Sequence, residues 1–590
     1  MNKAKNKKLP AAGKRARILS GVRRPQMAQP VKTRFVPLGK NIAVLGAGAA
    51  GLQAAATLAD LGYRVALLHH GQEPGGVTAA TPELFGYIGA NPAESSAMVK
   101  TLVENLVAKV RQNKNVSVYS NVRVKSVQGE AGSFSVTAVT AAGDNPGSAK
   151  GPALSEASPK ASFAEARILK ASAVVIASGC ACAPDLKISG EKNACVVGLD
   201  DLLQRIRAGA KLPAKIALVM DAASEQGRAV FAQVLSIAEL IAGRANVQVK
   251  LFCRHARVAA TGMEALYRRA RQAGLVVVKG DKPPVVTLNG ATALLRWHDE
   301  VLNCELSEEF DLVVMADLLP GPGVGAMNSG IVAGLRPGPE GAAQYDNVRL
   351  LPVSTNRPGI FVAGSARSNS ELRDALADGL AAAAQVHALL GPGRMPVRDD
   401  TAQVEAEKCV LCLTCVRICP HGAPSVDAEK KSASISAISC QRCGACAAEC
   451  PACAITLPGY TDEQFAAEVG EQPHVVVFAC ENSALPAAEA AGAAGMEIKN
   501  SVQLIRVPCA GDVSPRTVLS ALEKGARKVV VMGCHPESCL YLSGAGRASE
   551  RMERMRGMLA KAGIDQSRVS FVGMAPVESI KFMEYVKEQI

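Results

Sequence analysis

The sequence predicts an α/β protein: two units of the dinucleotide-binding kind, a small α+β domain organised by cysteines, and a C-terminal α/β domain. Three observations predict it. Residues 41–68 read as strand, glycine turn, helix and strand, and a second strand–helix–strand series starts at Lys215. Thirteen of the 18 cysteines crowd between Cys409 and Cys539. At about 150 residues per domain, a chain of 590 residues makes roughly four domains.

Composition excludes several classes. Hydrophobic residues make up 48% and charged residues 20%, enough to bury real cores. Aromatics are 4% with a single Trp, which speaks against base-stacking surfaces. No apolar run approaches the ~20 residues that span a bilayer, and no apolar segment follows the basic N-terminus as in a signal peptide; the expected location is cytoplasmic. The net charge of +13 is local. Residues 1–40 hold twelve Lys/Arg and no acid, leaving 54 basic and 53 acidic side chains elsewhere. This stretch reads as a disordered basic tail, either merely solvated or docking on an acidic partner, anionic lipid or nucleic acid.

Along the chain, Asn41–Leu45, the Ala/Leu-rich helix to about Gly62 and Tyr63–Leu68 form one βαβ unit. Residues 116–140 alternate apolar and polar, as antiparallel strands do, and 141–165 read as a surface insertion. Ala173–Gly179 is a buried strand ending in a small-residue turn. The second unit runs from Lys215 to 313–317, residues 358–389 give strand, glycine turn and long helix, and Gly391–Arg398 reads as a linker. Expected domains are 1–40 (tail), 41–210 and 341–395 (one discontinuous unit), 211–340 (the second unit), 400–460 (cysteine domain) and 472–590 (C-terminal domain).

The first turn is Gly46-Ala-Gly48-Ala-Ala-Gly51. Gly46 permits the tight bend, Gly48 lets backbone approach a pyrophosphate, and Gly51 lets helix and strand pack closely. Its context between strand and helix, with a second strand following, raises it above a bare motif. Gly75-Gly76, the AVVIASG segment with Ala177 and Gly179, and TNRPGIFVAGSA with Gly364 and Ser365 resemble the two-dinucleotide-binding-domain flavoproteins. The resemblance implies FAD bordered by those residues. It departs at the end of the second strand, where the family's ribose-binding acid is replaced by His69 or His70; His69 is the candidate contact. The second unit's turn, VMDAASEQGRAV, has Gly227 alone and lacks a phosphate cradle, so no nicotinamide site is expected there.

Cys409-x2-Cys412-x2-Cys415-x3-Cys419-Pro420 is followed by Cys440-x2-Cys443-x2-Cys446-x3-Cys450-Pro451. Thiolates at this spacing converge on one cubane, and each fourth Cys serves the other cluster. Cys409, Cys412, Cys415 and Cys450 are therefore assigned to one 4Fe–4S cluster, and Cys419, Cys440, Cys443 and Cys446 to the other. Paired zinc sites or a disulfide knot are the alternatives, and zinc motifs usually show isolated CxxC pairs. Cys453 is left over. Cys180-Ala-Cys182 is an awkward spacing for a dithiol, and Cys195, Cys253 and Cys304 read as buried. His421 and His535 neighbour candidate sites and read as surface residues. Cys480, Cys509, Cys534 and Cys539 follow apolar strands, where an α/β fold gathers functional groups; they suggest a 2Fe–2S cluster, with core packing as the alternative.

VVVFACEN and IRVPCAGDVSPRTVLSALEKGARKVVVMGCHPESCLY resemble the delta subunit of methyl-viologen-reducing hydrogenase, which implies a 2Fe–2S centre in an electron relay. The family's further cysteine near the first strand is Ser483 here. The whole order resembles the A-type polypeptide of heterodisulfide reductase fused to that delta domain, as in the B-type polypeptides of the quinone-interacting membrane-bound oxidoreductase (Qmo). Residues 71–170 and 221–252 lack the cysteines that provide an extra cluster in the reductase polypeptide, which favours the Qmo-like branch. The resemblance implies an electron-transfer oxidoreductase component with FAD, two 4Fe–4S clusters and one 2Fe–2S cluster and no catalytic acid or base. Implied partners are a second flavoprotein, a quinone-interacting membrane protein of the same complex and a soluble redox protein, with no nucleic acid. The alternatives are a flavin-bifurcating component and a stand-alone NAD(P)H-dependent reductase.

Overall fold

The computed structural model describes residues 22–25, 30–82, 92–141, 163–179, 188–189, 195–220, 227–242, 244, 246–259, 261–316, 326–338, 342–344, 347, 352–367, 371–498 and 501–589. Cys180, Cys182 and most of the 141–165 insertion lie outside them.

Five parallel strands make the first sheet, in the order Ile360–Val362, Ala173–Ile176, Asn41–Leu45, Arg64–Leu68 and Val116–Tyr119. Asn41–Leu45 and Ala173–Ile176 are almost wholly apolar and buried, as strands covered on both faces must be. Helices Ala49–Asp60 and Leu372–Leu390 pack on one face. Their approach is so close that a Cβ at Gly379 would lie 2.5 Å from the Ala50 carbonyl oxygen. An antiparallel sheet of Val122–Gln128, Phe134–Ala141 and Phe163–Ala171 lies on the other side.

The second unit is a parallel sheet in the order Val196–Gly198, Leu312–Met315, Lys215–Met220, Gln248–Cys253 and Val276–Lys279. A four-stranded sheet ending in Cys304–Phe310 abuts it. Its limits correct the sequence expectation at both ends. Val196–Gly198 pairs with Leu312–Met315, so the unit has begun before residue 211. At the far end, Ala333 and Leu335 pack into the core of the first unit with Val174, Ile176 and Ile360, so residues 326–338 belong there. Cys195 and Cys253 are buried, whereas Cys304 heads an edge strand and is exposed.

The cysteine domain has two small ribbons, Gln403–Val404 with Ile455–Thr456 and Pro424–Asp427 with Ser432–Ile435. Two short helices, Thr414–Ile418 and Ala445–Ala448, complete it. The C-terminal sheet is parallel, in the order Val22–Arg23, Val502–Val507, Val475–Cys480, Lys528–Gly533 and Val569–Gly573.

That order corrects the reading of residues 1–40 as a disordered tail. Val22–Arg23 joins the C-terminal sheet beside Leu504 and Ile505, with Val22 buried and Arg23 Nη1 donating to the Glu468 carbonyl at 2.6 Å. Thr33–Pro37 pairs antiparallel with Arg394–Arg398, which is therefore a strand rather than a linker. Both pairings satisfy backbone groups on edge strands that would otherwise be open. The N-terminal segment is thus a strap joining the first unit to the last. Deleting residues 1–25 forfeits the burial of Val22, about 1.5–3 kcal/mol. The C-terminal domain should then melt lower and exchange amides faster along 502–507; unchanged exchange there would refute the strap.

Candidate functional site

The glycine turn has the shape of a phosphate cradle. Gly46 has φ 112° and donates to the Leu68 carbonyl at 2.8 Å. A Cβ at Gly51 would lie 1.9 Å from the Gly46 carbonyl oxygen, while one at Gly48 would meet nothing within 4 Å. The open side of the turn is therefore at Gly48. No side chain caps the Ala49–Asp60 helix, so its first amides face that space with the positive end of the helix dipole. Gly75 (φ 126°) donates to the Ala47 carbonyl at 2.8 Å, and a Cβ at Gly76 would lie 3.0 Å from Gly48 Cα. Ala177 lies against Gly46, and the neighbouring Ser178 Oγ is buried without a hydrogen-bond partner. Gly179 (φ 76°) has open space around it. Gly364 (φ 64°) closes the rim 2.8 Å from Ala50 Cβ, measured from an added Cβ, and Ser365 beside it is half-buried.

His69 is buried, its Nε2 2.9 Å from Ser120 Oγ, and burial lowers its pKa. Its hydroxyl partner thus lies inside the protein. His70 is exposed. The sequence reading missed Asp378, whose buried carboxylate accepts the Gly364 amide at 3.0 Å and pairs with Arg367 Nε at 3.0 Å. That carboxylate fixes the turn between the Ile360–Val362 strand and the Leu372–Leu390 helix. Asp378 carries no motif, since its role depends on a helix turn lying beside a loop fourteen residues back.

The cysteines gather into three groups. Cys409, Cys412, Cys415 and Cys450 line one cavity with Ala433, Ala454 and Ile455, and Cys415 interacts electrostatically with the other three. Cys412 is exposed and Cys415 buried. The Ala433 amide donates to Cys409 Sγ at 3.4 Å and the Ala454 amide to Cys450 Sγ at 3.3 Å. In the second group Cys446 interacts with Cys443, Cys440 and Cys419, and amides of His421, Gly422 and Ala423 point at Cys419. Burial pushes the Cys443 and Cys446 thiols up, a cost that ligation as thiolate would remove. Cys453 stands outside both groups with a left-handed backbone, φ 49°.

The third group is a ring in the C-terminal domain. Cys480 lies within hydrogen-bond reach of Cys509 and Cys534, and Cys539 within reach of the same two. All four are buried at the C-terminal edge of the sheet. Their neighbours' thiols pull Cys534 far down towards thiolate. Gly511 donates to Cys509 Sγ and Ala545 to Cys539 Sγ, each at 3.4 Å. Gly544 opens the helix Gly544–Lys561 here because a Cβ would lie 2.4 Å from Cys509 Sγ. Ser483 is fully buried, its hydroxyl turned to Cys534. Among the described residues no three His, Cys, Asp or Glu side chains are gathered closely enough to hold a single metal ion. A cubane spreads its thiolates more widely, each on its own iron.

The second and third groups are neighbours. Tyr541 is half-buried and interacts with both Cys443 and Cys509. Asp512, three residues after Cys509, fits against Gly444, and burial raises its carboxyl well above the usual range. Arg551 of the Gly544–Lys561 helix donates to Glu449 at 2.8 Å and to the Gly511 carbonyl at 3.3 Å, pinning the cysteine domain to the C-terminal one. His421 is buried, not superficial: it is edge-on to Tyr541 with centroids 5.6 Å apart, and its Nδ1 lies 2.8 Å from the Asn356 carbonyl. His535 is half-buried, 3.3 Å from Glu578. None of these partners carries a spacing signal, because each lies far along the chain from the residue it meets and several of the contacts cross a domain junction.

The family model for the methyl-viologen-reducing hydrogenase delta subunit matches residues 475–590. The D-type iron-sulfur polypeptide of the F420-non-reducing hydrogenase of Archaeoglobus profundus is 34% identical over 117 residues, covering 20% of this chain and 85% of that one. The C-terminal part of the chain belongs to this family. A pyridine nucleotide-disulphide oxidoreductase model matches residues 11–219 and a 4Fe-4S dicluster model residues 401–451. The A-type polypeptide of the ferredoxin/F420H2-dependent CoB-CoM heterodisulfide reductase of Methanosarcina acetivorans is 26% identical over 343 residues, 56% of this chain and 43% of that one. The chain spans less than half the length of the heterodisulfide reductase polypeptides of this type from two Methanosarcina species. Among solved structures, thioredoxin reductase of T. acidophilum aligns with 59% of this chain and 98% of its own at 16% identity and a TM-score of 0.38. The chain is thus a flavoprotein similar to the A-type polypeptides of heterodisulfide reductase, with an iron–sulfur domain and a fused delta-type domain. No helix among the described residues is long and apolar enough to cross a membrane.

The cradle makes a graded prediction. Gly51→Ala drives a Cβ into the Gly46 carbonyl and should cost about 1–3 kcal/mol of stability by overpacking. Gly48→Ala meets no protein atom, so the melting temperature should hold while bound flavin, read as absorbance released on denaturation, falls. Equal flavin loss with equal destabilisation in both would argue that Gly48 does not face the ligand.

Proposed function

We propose that this chain is the electron-transfer component of a redox complex of the heterodisulfide reductase and Qmo type. Gly46, Gly48, Gly51, Gly75, Gly76, Ala177, Gly179, Gly364 and Ser365 would hold FAD. The first two cysteine groups would each carry a 4Fe–4S cluster and the C-terminal ring a 2Fe–2S cluster. One observation supports the reading: the cysteines gather into three separate groups of four, the second joined to the third through Tyr541. A flavin exchanges two electrons on one side and one at a time on the other, which suits a chain of one-electron centres. The protein's part is to seat the centres close together, exclude water and direct amides at the sulfurs; no side chain need act as acid or base.

A soluble redox protein, a second flavoprotein and a quinone-interacting membrane protein are the proposed partners, and the proposed place of work is the cytoplasmic side of a membrane. The Qmo-like branch is supported by the missing cysteines in residues 71–170 and 221–252.

Anaerobically purified protein should contain one FAD and about ten irons with matching acid-labile sulfide. Cys534→Ser should remove about two irons and one EPR signal, while Cys443→Ser should remove about four. An iron-free, colourless protein would refute the proposal. Rapid flavin reduction by NAD(P)H would instead favour the stand-alone reductase.

A further inference from the structure

The second cysteine group faces unusual charge. Arg357 is 7% exposed, yet its guanidinium is held by carbonyl oxygens alone: Nη2 donates to Gly129 at 2.8 Å, and Nη1 to Val127 at 3.3 Å and to Ala333. Its Nε has no partner. A Cβ on Gly422 would lie 2.9 Å from that Nε, which puts the guanidinium against the loop that follows Cys419. Arg336 donates from Nη2 to the Ile418 carbonyl at 2.9 Å, one residue before Cys419. Both interact electrostatically with Cys419, and Arg547 of the C-terminal domain adds a third cation facing Arg336.

A buried guanidinium stays charged, and without a counter-charge it costs several kcal/mol. No carboxylate pairs with Arg357 or Arg336 among the described residues. Four thiolates around an iron–sulfur core carry net negative charge, and one electron more on reduction. Buried cations therefore favour the reduced cluster, strongly so in a low dielectric. The first group lacks this setting: Arg417 beside Cys412 is exposed, where water and salt screen it.

We propose that Arg357, seconded by Arg336, tunes the Cys419/Cys440/Cys443/Cys446 centre to a higher reduction potential than the Cys409/Cys412/Cys415/Cys450 centre. Electrons would then rest on the buried centre between the flavin-binding unit and the C-terminal ring. These are tuning residues, not catalytic ones, and the inference rests on the cluster assignment above.

The test is an EPR-monitored redox titration of the intact, cluster-loaded chain. Wild type should show two 4Fe–4S signals of unequal potential. Arg357→Gln should lower only the higher one, by at least tenfold in its reduced-to-oxidised ratio at fixed potential, or about 59 mV for a one-electron couple. Arg357→Lys should restore much of that shift, and Arg336→Gln should move the same signal the same way by less. Should Arg357→Gln not fold, Arg336→Gln and Arg357→Lys carry the test. Variants with full iron content and unmoved potentials, or with both signals shifted alike, overturn the tuning role and leave the clusters standing. Wild type without 4Fe–4S signals overturns the cluster assignment itself.

Discussion

The segment 401–459 depends on its cysteines being drawn together. Besides cysteines, its buried apolar side chains are five alanines (Ala402, Ala423, Ala433, Ala445 and Ala454) with Ile418, Ile455 and Leu457, and its strands are two to four residues long. A chain of this size seldom buries enough apolar surface to offset its conformational entropy. Ligation of iron by the thiolates would supply the missing cross-links, as in other small metal-organised domains. The flavin-binding unit and the C-terminal domain both pack against that module.

The module is held from two directions. On the flavin-binding side Ser436 bonds Glu130, Arg336 bonds the Ile418 carbonyl, and Arg357 lies against Gly422. On the C-terminal side Arg551 bonds Glu449 and Asp512 fits against Gly444. Asn347 crosses directly between the two outer bodies, donating to the Cys539 carbonyl at 2.5 Å. The strap of residues 22–37 joins the same two bodies through backbone pairing. Relative motion would stretch the gaps between cysteine groups, and electron exchange is sensitive to those gaps, so several independent ties serve the function.

Several buried polar atoms at the junction lack partners. His421 Nε2, both side-chain polar atoms of Asn356 and Arg357 Nε are buried without hydrogen-bond partners, all in one place beside Cys419. Unpaired polar groups of this kind are costly. Their concentration at one site marks it as shaped for electrostatics rather than stability. The Gly-rich turn is the converse case, with open space at Gly48 and helix amides that no side chain caps.

Much was written locally. The bend at Gly46 and the close approach at Gly51 follow from neighbours a few residues apart, and the CxxCxxCxxxCP spacing places thiols on one short turn whatever surrounds it. The fold class followed from the same short-range patterns. The ring of Cys480, Cys509, Cys534 and Cys539 was legible only in part, because each follows a strand but the order of the strands brings them together. Val22–Arg23 was misread, since two residues leave no periodic trace and their pairing is set by an edge hundreds of positions away. Arg357, Arg336, Tyr541, Asp512 and Arg551 had no signal at all. The candidate dinucleotide turn and the candidate iron ligands were readable from the amino acids alone, since bonded geometry and spacing set them. Which cysteine group neighbours which, and among what charges, came from packing, because distance and burial arise when separate units meet.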